Sequence, residues 1–191
     1  MGLPAANHED VLVSRAQQGD RGAFGELACL HYTGVIQVVY HLCGDSQTAE
    51  DAAQETFLKA WQHLPGYRPQ GQLRGWLYRI AVNTALDMLR RETKLSPEDV
   101  NDLPLADGQP GPEATVIAQE RAGLVQRAIM ALSPASRAVL VLREYSGLSY
   151  QEIADTLDIP IGTVMSRLNY ARSRLRTWLE PWLELVEVKH A

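Results

Sequence analysis

The chain has only two cysteines among its 191 residues. A disulfide framework is therefore not expected, and a reducing cytoplasm is the default compartment. The first ten residues show no basic stretch followed by an apolar one, so no secretory signal is visible. Residues 27–44 lack Asp, Glu, Lys and Arg but include two histidines and a glutamine. They favour a buried helix over a membrane span.

Alternation of apolar and polar residues, which marks half-buried strands, is missing as well. The periodic segments are helical instead, so the fold class that we predict is all-α. The sequence shows neither a glycine-rich phosphate loop nor a nucleophile beside a base. It therefore favours a binding protein over an enzyme, with no catalytic residue and no cofactor expected. The predicted helices span residues 8–18, 22–43, 47–63, 72–91, 114–131, 135–145, 149–157 and 162–178.

The net charge of −5 is unusual for a protein that binds nucleic acid. The charges are unevenly distributed, since residues 65–92 carry +3 and residues 163–176 carry +4, while residues 1–64 and 93–120 each carry −5. The two basic segments are suited to phosphates. The acidic remainder is expected to weaken non-specific DNA binding by the free protein, which indicates that a partner is needed.

Residues 93–113 interrupt the helical pattern with four prolines, two glycines and several acids. Such a composition is typical of an extended, charged linker without a packed core. We predict two small helical domains, residues 1–92 and 114–191, joined by this flexible acidic linker and held apart by it. The segment from Pro181 to Leu185 is predicted to be either a short packed helix or a frayed end.

The segment from Leu148 to Arg176 predicts a helix-turn-helix. Ser149 to Glu152 fits a capping box that begins the first helix. Pro160 ends this helix, because the residue before a proline is pushed out of the helical region. A second helix follows from about Gly162, and in this motif the second helix enters the major groove of DNA.

The second helix of this motif is apolar on one face and polar on the other. An apolar stripe at steps of four, three and four predicts burial of Val164, Leu168, Ala171 and Leu175. On the other face, arginines suit phosphates, and hydroxyls and an amide suit base edges. These candidates are Ser166, Asn169, Tyr170 and Ser173 at the centre, with Met165, Arg167, Arg172 and Arg174 on the flanks. An ordinary basic surface helix is the alternative.

In the first half, the helix predicted at residues 47–63 combines an apolar stripe with a face of acids and amides. That face is suited to docking on a protein, although a solvated acidic face is the commoner explanation of such a pattern. Its candidate docking residues are Asp51, Gln54, Glu55 and Leu58.

A loop rich in Pro and Gly, residues 65–72, precedes a basic helix with an amide near its centre. Aromatic side chains can stack on unpaired bases, amides can read base edges and arginines can hold the backbone. The segment therefore suits single-stranded DNA. Trp76 and Tyr78 are the aromatic candidates, and burial in the core is the alternative for both. Arg79, Asn83, Asp87 and Arg90 share one face.

Two short pairs, Cys29 with His31 and His41 with Cys43, raise the question of a metal site. If both pairs lie on one helix, Cys29 and Cys43 are roughly 21 Å apart. That distance excludes one shared ion and a disulfide between them. We predict structural packing and no metal.

Four motifs in fixed order resemble the extracytoplasmic-function (ECF, group IV) sigma factors of bacterial RNA polymerase. They are AQQGDRGAFGEL, AEDAAQETFLKAW, RGWLYRIAVNTALDMLRR and LSPASRAVLVLREYSGLSYQEIADTLDIPIGTVMSRL. The resemblance spans nearly the whole chain. It implies a cytoplasmic protein that binds core RNA polymerase, directs promoter-specific initiation in a stress response, and is controlled by an anti-sigma factor without entering the membrane.

The resemblance also assigns roles to residues. The first domain would dock on the clamp helices of the largest polymerase subunit through Asp51, Gln54, Glu55 and Leu58. The next helix and its loop would melt the minus-ten element and read it as a single strand, with Asn83 contacting a flipped base. The implied minus-ten set is Tyr67, Arg68, Arg74, Trp76, Tyr78, Arg79, Asn83, Asp87 and Arg90. The implied set for the minus-thirty-five duplex is Thr163, Met165, Ser166, Arg167, Asn169, Tyr170, Arg172, Ser173 and Arg174.

The chain departs from the family pattern at Met165, Asn169 and Tyr170, where basic or aromatic residues are common. These positions are expected to set this chain's own promoter choice. A stand-alone helix-turn-helix regulator that binds duplex DNA is the alternative function. Such a regulator would have no use for a basic, aromatic helix in the first domain.

Overall fold

The computed structural model describes residues 8–68, 72–95 and 113–188, with side chains described for residues 8–68, 72–91 and 122–180. The described residues form α-helices and one short 3-10 turn, which confirms the predicted all-α class. Most of the predicted linker, residues 96–112, lies outside them. The helices are α1 His8–Gln17, α2 Arg21–Cys43, α3 Ser46–His63, α4 Leu73–Leu95, α5 Glu113–Met130, α6 Pro134–Glu144, α7 Tyr150–Leu157 and α8 Ile161–Val188; the 3-10 turn is Leu64–Gly66.

The last helix differs from the prediction. Helix α8 does not end near residue 178 but continues to Val188, so the tail is an extension of this helix and not a separate element. None of the described helices is both long and apolar enough to cross a bilayer.

Helix α2 forms the centre of the first half, where it packs against α1, α3 and α4. Two aspartates define the turns at its ends: Asp20 accepts a hydrogen bond from the Ala23 amide at 3.0 Å and begins α2, and Asp45 accepts one from Thr48 at 2.8 Å and begins α3. Between these helices Gly44 adopts φ +92°, which glycine tolerates without strain.

In the second half, α8 packs against α5, α6 and α7. The apolar stripe predicted on α8 is confirmed, because Val164, Leu168 and Ala171 are fully buried and Leu175 packs against the core. The short α7 contributes the buried Ile153. This packing leaves the opposite face of α8 exposed.

The two halves pack against each other, contrary to the expectation that the linker holds them apart. Helix α2 contacts α5 and α6, and α4 contacts α7. The buried side chains of both halves form one continuous apolar cluster. The physical reason is an interface with its own polar contacts, such as the hydrogen bond from Arg137 to the Leu42 carbonyl, whose partners the sequence pattern does not identify.

Candidate nucleic-acid interface

The helix-turn-helix is built as the sequence predicts. Ser149 accepts a hydrogen bond from the Glu152 amide at 3.2 Å, and the Glu152 carboxylate accepts one from the Ser149 amide at 2.7 Å, which completes the capping box. The hydrogen bond from the Ser149 amide to the carboxylate lowers the pKa of Glu152. Asp158 ends α7 in the left-handed region at φ 55°. Helix α7 is thereby fixed at both ends, directly before the turn that leads into α8.

The polar face of α8 is available to a ligand. Met165 is 48% and Tyr170 53% exposed, large fractions for apolar and aromatic side chains. The other predicted members of this face are exposed or half-buried: Thr163, Ser166, Arg167, Asn169, Arg172, Ser173 and Arg174. Side chains of this kind on the second helix of the motif are suited to base edges and phosphates in the major groove.

Arg172 differs from its neighbours, because its guanidinium is held by an acid. Its Nε and Nη2 donate to Glu144 Oε1 at 3.1 and 2.7 Å, and these hydrogen bonds raise the pKa of Arg172. Both side chains are substantially exposed, so the pair is weak in water.

The neighbouring Arg143 joins α6 to the start of α7. It donates to the Leu148 carbonyl at 2.8 Å and lies over the Tyr150 ring.

Helix α4 carries the second predicted nucleic-acid face. Arg79, Asn83 and Arg90 are exposed on it, and Asp87 is half-buried and accepts a hydrogen bond from Arg90 at 3.0 Å. The amide of Asn83 therefore lies on an open surface between cationic groups. Arg68, at the end of the preceding turn, is also exposed.

The aromatic residues of this region divide between surface and core. Tyr67 and Trp76 are half-buried and pack against each other with ring centroids 4.8 Å apart. Tyr78, in contrast, is only 5% exposed, and its hydroxyl fills the space left by the missing side chain of Gly34, where a Cβ would lie 2.5 Å away. The assignment of Tyr78 to DNA binding is therefore wrong, because it is a core residue that joins α4 to α2.

Two arginines of the predicted minus-ten set are paired with acids at the two ends of α7, Glu152 in its first turn and Asp158 directly after its last residue. Arg79 donates to Asp158 at 3.2 Å, and Arg74 lies 3.9 Å from Glu152. All four side chains are at least one third exposed, so each pair contributes at most about 1 kcal/mol. In this arrangement carboxylates of the second half occupy positions next to arginines that would otherwise be open to phosphates.

The interface between the halves has a buried polar centre that the sequence reasoning missed. The guanidinium of Arg137 donates to the carbonyls of Leu42 at 2.6 Å, Met130 at 2.6 Å and Leu132 at 3.0 Å. Burial lowers the pKa of Arg137. The sequence shows only an arginine directly before the apolar run of α6, residues 138–142, and nothing there identifies its partners.

Beside this arginine, His41 of α2 stacks on Tyr145 with ring centroids 3.6 Å apart. Its Nδ1 hydrogen-bonds Gln126 Oε1 at 2.7 Å. Burial lowers the pKa of His41 and raises that of Tyr145. The neutral forms of both rings are therefore favoured at this interface.

The predicted docking face of α3 borders an apolar groove. Asp51 and Gln54 are exposed, Glu55 is half-buried, and Leu58 is 58% exposed. The groove has a volume of 560 Å³ and runs between α2 and α3. It is lined by Arg21, Phe24, Ala28, Tyr32, Gln54, Phe57, Leu58 and Trp61.

Within the described residues, no group of His, Cys, Asp and Glu side chains is arranged to hold a metal ion. Helix α2 runs unbroken from Arg21 to Cys43, so Cys29 and Cys43 are separated along one helix, as expected from the sequence. His31 instead lies 3.2 Å from Glu9 of α1. This pair fastens α1 to α2.

Comparison with known proteins identifies both halves. Residues 29–95 match the model of sigma-70 region 2, and residues 122–175 match that of sigma-70, region 4. The RNA polymerase sigma-H factor of Pseudomonas aeruginosa is 34% identical over 184 residues, which cover 92% of this chain and 95% of that protein. The chain belongs to the ECF sigma factors.

Other relatives agree with this. The ECF RNA polymerase sigma-E factor of Escherichia coli K12 is 36% identical over 91% of this chain and 95% of its own length. SigE of Mycolicibacterium smegmatis, an ECF RNA polymerase sigma factor, is 38% identical over 84% of this chain. The matched region covers 64% of SigE, slightly less than two thirds of its length. The solved structure of CnrH in complex with the cytosolic domain of CnrY is similar, with a TM-score of 0.69, 25% identity and coverage of 92% of this chain and 99% of CnrH.

Proposed function

We propose that this sigma factor, a member of group IV, binds bacterial core RNA polymerase and directs initiation at promoters with minus-thirty-five and minus-ten elements. The observation that carries the proposal is the presence of two separate exposed nucleic-acid faces, on α8 and on α4, in one chain. The first face fits duplex DNA, and the second fits unpaired bases. A protein with both is equipped to bind and to open a promoter, and it needs no catalytic group of its own.

In the second half, residues 163–174 of α8 lie in the major groove of the minus-thirty-five element. Asn169 and Ser173 are placed to hydrogen-bond base edges, while Met165 and Tyr170 are placed to contact apolar base surfaces such as thymine methyl groups. Arg167 and Arg174 contact phosphates. The exposed Met165 and Tyr170 distinguish this face from a purely polar one and bias its sequence preference.

In the first half, α4 and the preceding turn capture the melted minus-ten strand. The Tyr67–Trp76 pair offers an aromatic surface for a base, Asn83 contacts a flipped base, and the backbone is held by arginines. The phosphate contacts are assigned to Arg68, Arg74, Arg79 and Arg90, and Asp87 orients Arg90 through their 3.0 Å hydrogen bond.

The docking face on α3 binds the clamp helices of the largest polymerase subunit. Asp51, Gln54 and Glu55 supply acidic and amide contacts, and Leu58 adds an apolar anchor at the mouth of the groove. Buried apolar anchors within a polar rim are typical of protein interfaces. An anti-sigma factor is the other partner that we propose for this cytoplasmic protein, in keeping with the solved structure of RpoE bound to the anti-sigma factor NepR.

Sigma function requires the two halves to separate. The minus-thirty-five and minus-ten positions differ by about 25 base pairs, or about 85 Å of duplex at 3.4 Å per base pair. A compact chain of this length is about 40 Å across. Contacts such as Arg137 to Leu42, His41 to Tyr145 and Arg79 to Asp158 must therefore break when both elements are bound.

Energy transfer between two dyes tests this separation. The labels are attached to Ser14→Cys on α1 and Thr177→Cys on α8 in a Cys29→Ser background, since both sites are exposed. Transfer should be high in the free protein and fall when polymerase and promoter are added. Unchanged transfer would refute the separation.

Run-off transcription tests the function itself. Core polymerase with this protein should produce discrete promoter-directed transcripts that core polymerase alone does not produce. Failure to bind core polymerase, together with tight binding of duplex DNA by the free protein, would favour the stand-alone regulator instead.

A further inference from the structure

The 3-10 turn Leu64–Gly66, at the start of the loop that precedes α4, is held to α1 by the side chain of one glutamine. Gln17, the last residue of α1, donates through Nε2 to the carbonyl of Leu64 at 3.1 Å and to the carbonyl of Tyr67 at 2.7 Å. These two carbonyls lie at opposite ends of the 3-10 turn. Gln17 thus joins α1 to Leu64 and Tyr67, which are 47 and 50 positions away in the sequence, at the point where the loop begins.

The chemistry of the contact fixes its direction. A side-chain amide has two N–H donors, and only this end of the group can satisfy two carbonyl oxygens at once. The Leu64 carbonyl also accepts the Tyr67 amide at 3.0 Å, so the turn is closed both by its own backbone and by Gln17. Leu64 is buried and Gln17 is half-buried, which shields these bonds from water.

Gln17 is itself held in place by the turn between α1 and α2. Gly19 adopts φ +92°, and its amide donates to the Ala16 carbonyl at 3.0 Å. Arg15 donates to the Asp20 carboxylate at 2.8 Å, and Asp20 caps α2. The backbone that carries Gln17 is therefore held in place by the hydrogen bonds of this turn.

We infer that Gln17 is a positioning residue for minus-ten recognition. By holding both ends of the turn, it fixes the backbone of Tyr67, whose ring packs on Trp76 of α4. The aromatic surface is then already formed before a base arrives, and less ordering is required on binding. This inference rests on the proposed function, because it assigns Gln17 a part in capturing the minus-ten strand.

The test uses the assembled holoenzyme and a promoter selected by the wild-type protein from a randomised library. Gln17→Met keeps the volume but has no donor, and Gln17→Glu keeps the shape but offers only acceptors to the two carbonyls. Gln18→Glu is the matched control, since it adds the same charge at the next, exposed position. Promoter opening is measured by permanganate reactivity of melted thymines, beside binding to core polymerase, to a minus-thirty-five duplex and to a single-stranded minus-ten oligonucleotide.

Both Gln17 variants should lose opening and single-strand binding by roughly 3- to 10-fold, the range expected for a lost hydrogen bond. Core binding and duplex binding should match those of Gln18→Glu, while the thermal midpoint should fall by only about 2–4 °C per kcal/mol lost with the two hydrogen bonds. Opening equal to wild type, or a parallel loss of every activity, would overturn the inference and leave the sigma function intact. A wild-type protein that selects no promoter would instead overturn the proposed function and this inference with it.

Discussion

Arg137 offers a test of the buried polar contact at the interface, since its hydrogen bond to Leu42 joins the two halves and its bonds to Met130 and Leu132 lie within the second half. Replacing it with methionine removes three hydrogen bonds, to the carbonyls of Leu42, Met130 and Leu132. Each bond from a charged donor contributes about 1.5–3 kcal/mol, and each buried carbonyl left without a partner costs about 1–3 kcal/mol. Removal of the buried positive charge offsets part of this loss in stability, because the cost of desolvating it disappears. Arg137 is 6% exposed, and its Nε has no partner among the described residues.

The net expectation for Arg137→Met is a loss of about 3 kcal/mol in the free energy of unfolding. Urea unfolding followed by circular dichroism measures it. Arg137→Lys keeps the charge but cannot reach three carbonyls. Its free energy of unfolding should therefore lie between those of the wild type and of Arg137→Met. Arg127→Met is the matched control, because Arg127 is exposed and its loss should change stability by less than about 0.5 kcal/mol. A loss for Arg137→Met no larger than this control would refute the argument.

Three further predictions follow from single contacts. His41 has a lowered pKa, so below about pH 6.5 the unfolded chain binds more protons than the folded chain. Stability should therefore be full above that pH and fall as the pH drops toward the lowered pKa, and His41→Gln should flatten this part of the pH profile of unfolding. Ser149→Ala removes the helix cap and should cost about 1 kcal/mol in thermal or urea unfolding, with Ser173→Ala as an exposed control that changes little. Asn83→Ala should lower promoter opening more than core binding, and equal losses would indicate a folding defect.

The sequence was sufficient for the local structure of this chain. Helix positions followed from apolar periodicity, and the capping box at Ser149 and the stripe through Val164 and Leu168 were confirmed because both depend on neighbours within a few residues. The exposed face of α8 followed from the same periodicity. The family could be inferred as well, since its motifs are contiguous and occur in fixed order.

The contacts between distant elements could not be inferred in this way. Tyr78 was wrongly placed on the DNA face because its pocket is created by Gly34, on another helix. The stacking of His41 on Tyr145 joins residues far apart in sequence, and Arg137 is a charged residue whose partners are backbone carbonyls. A pattern of residue types along one chain segment carries no information about such partners.

A selection experiment tests the central claim most directly. Core RNA polymerase, with and without this protein, transcribes a library of templates with randomised upstream sequence, and the transcribed templates are sequenced. If the account is correct, the protein enriches templates with two sequence blocks about 25 base pairs apart, and core polymerase alone enriches neither. The absence of enrichment, or enrichment of a single palindromic block without any need for polymerase, would contradict it.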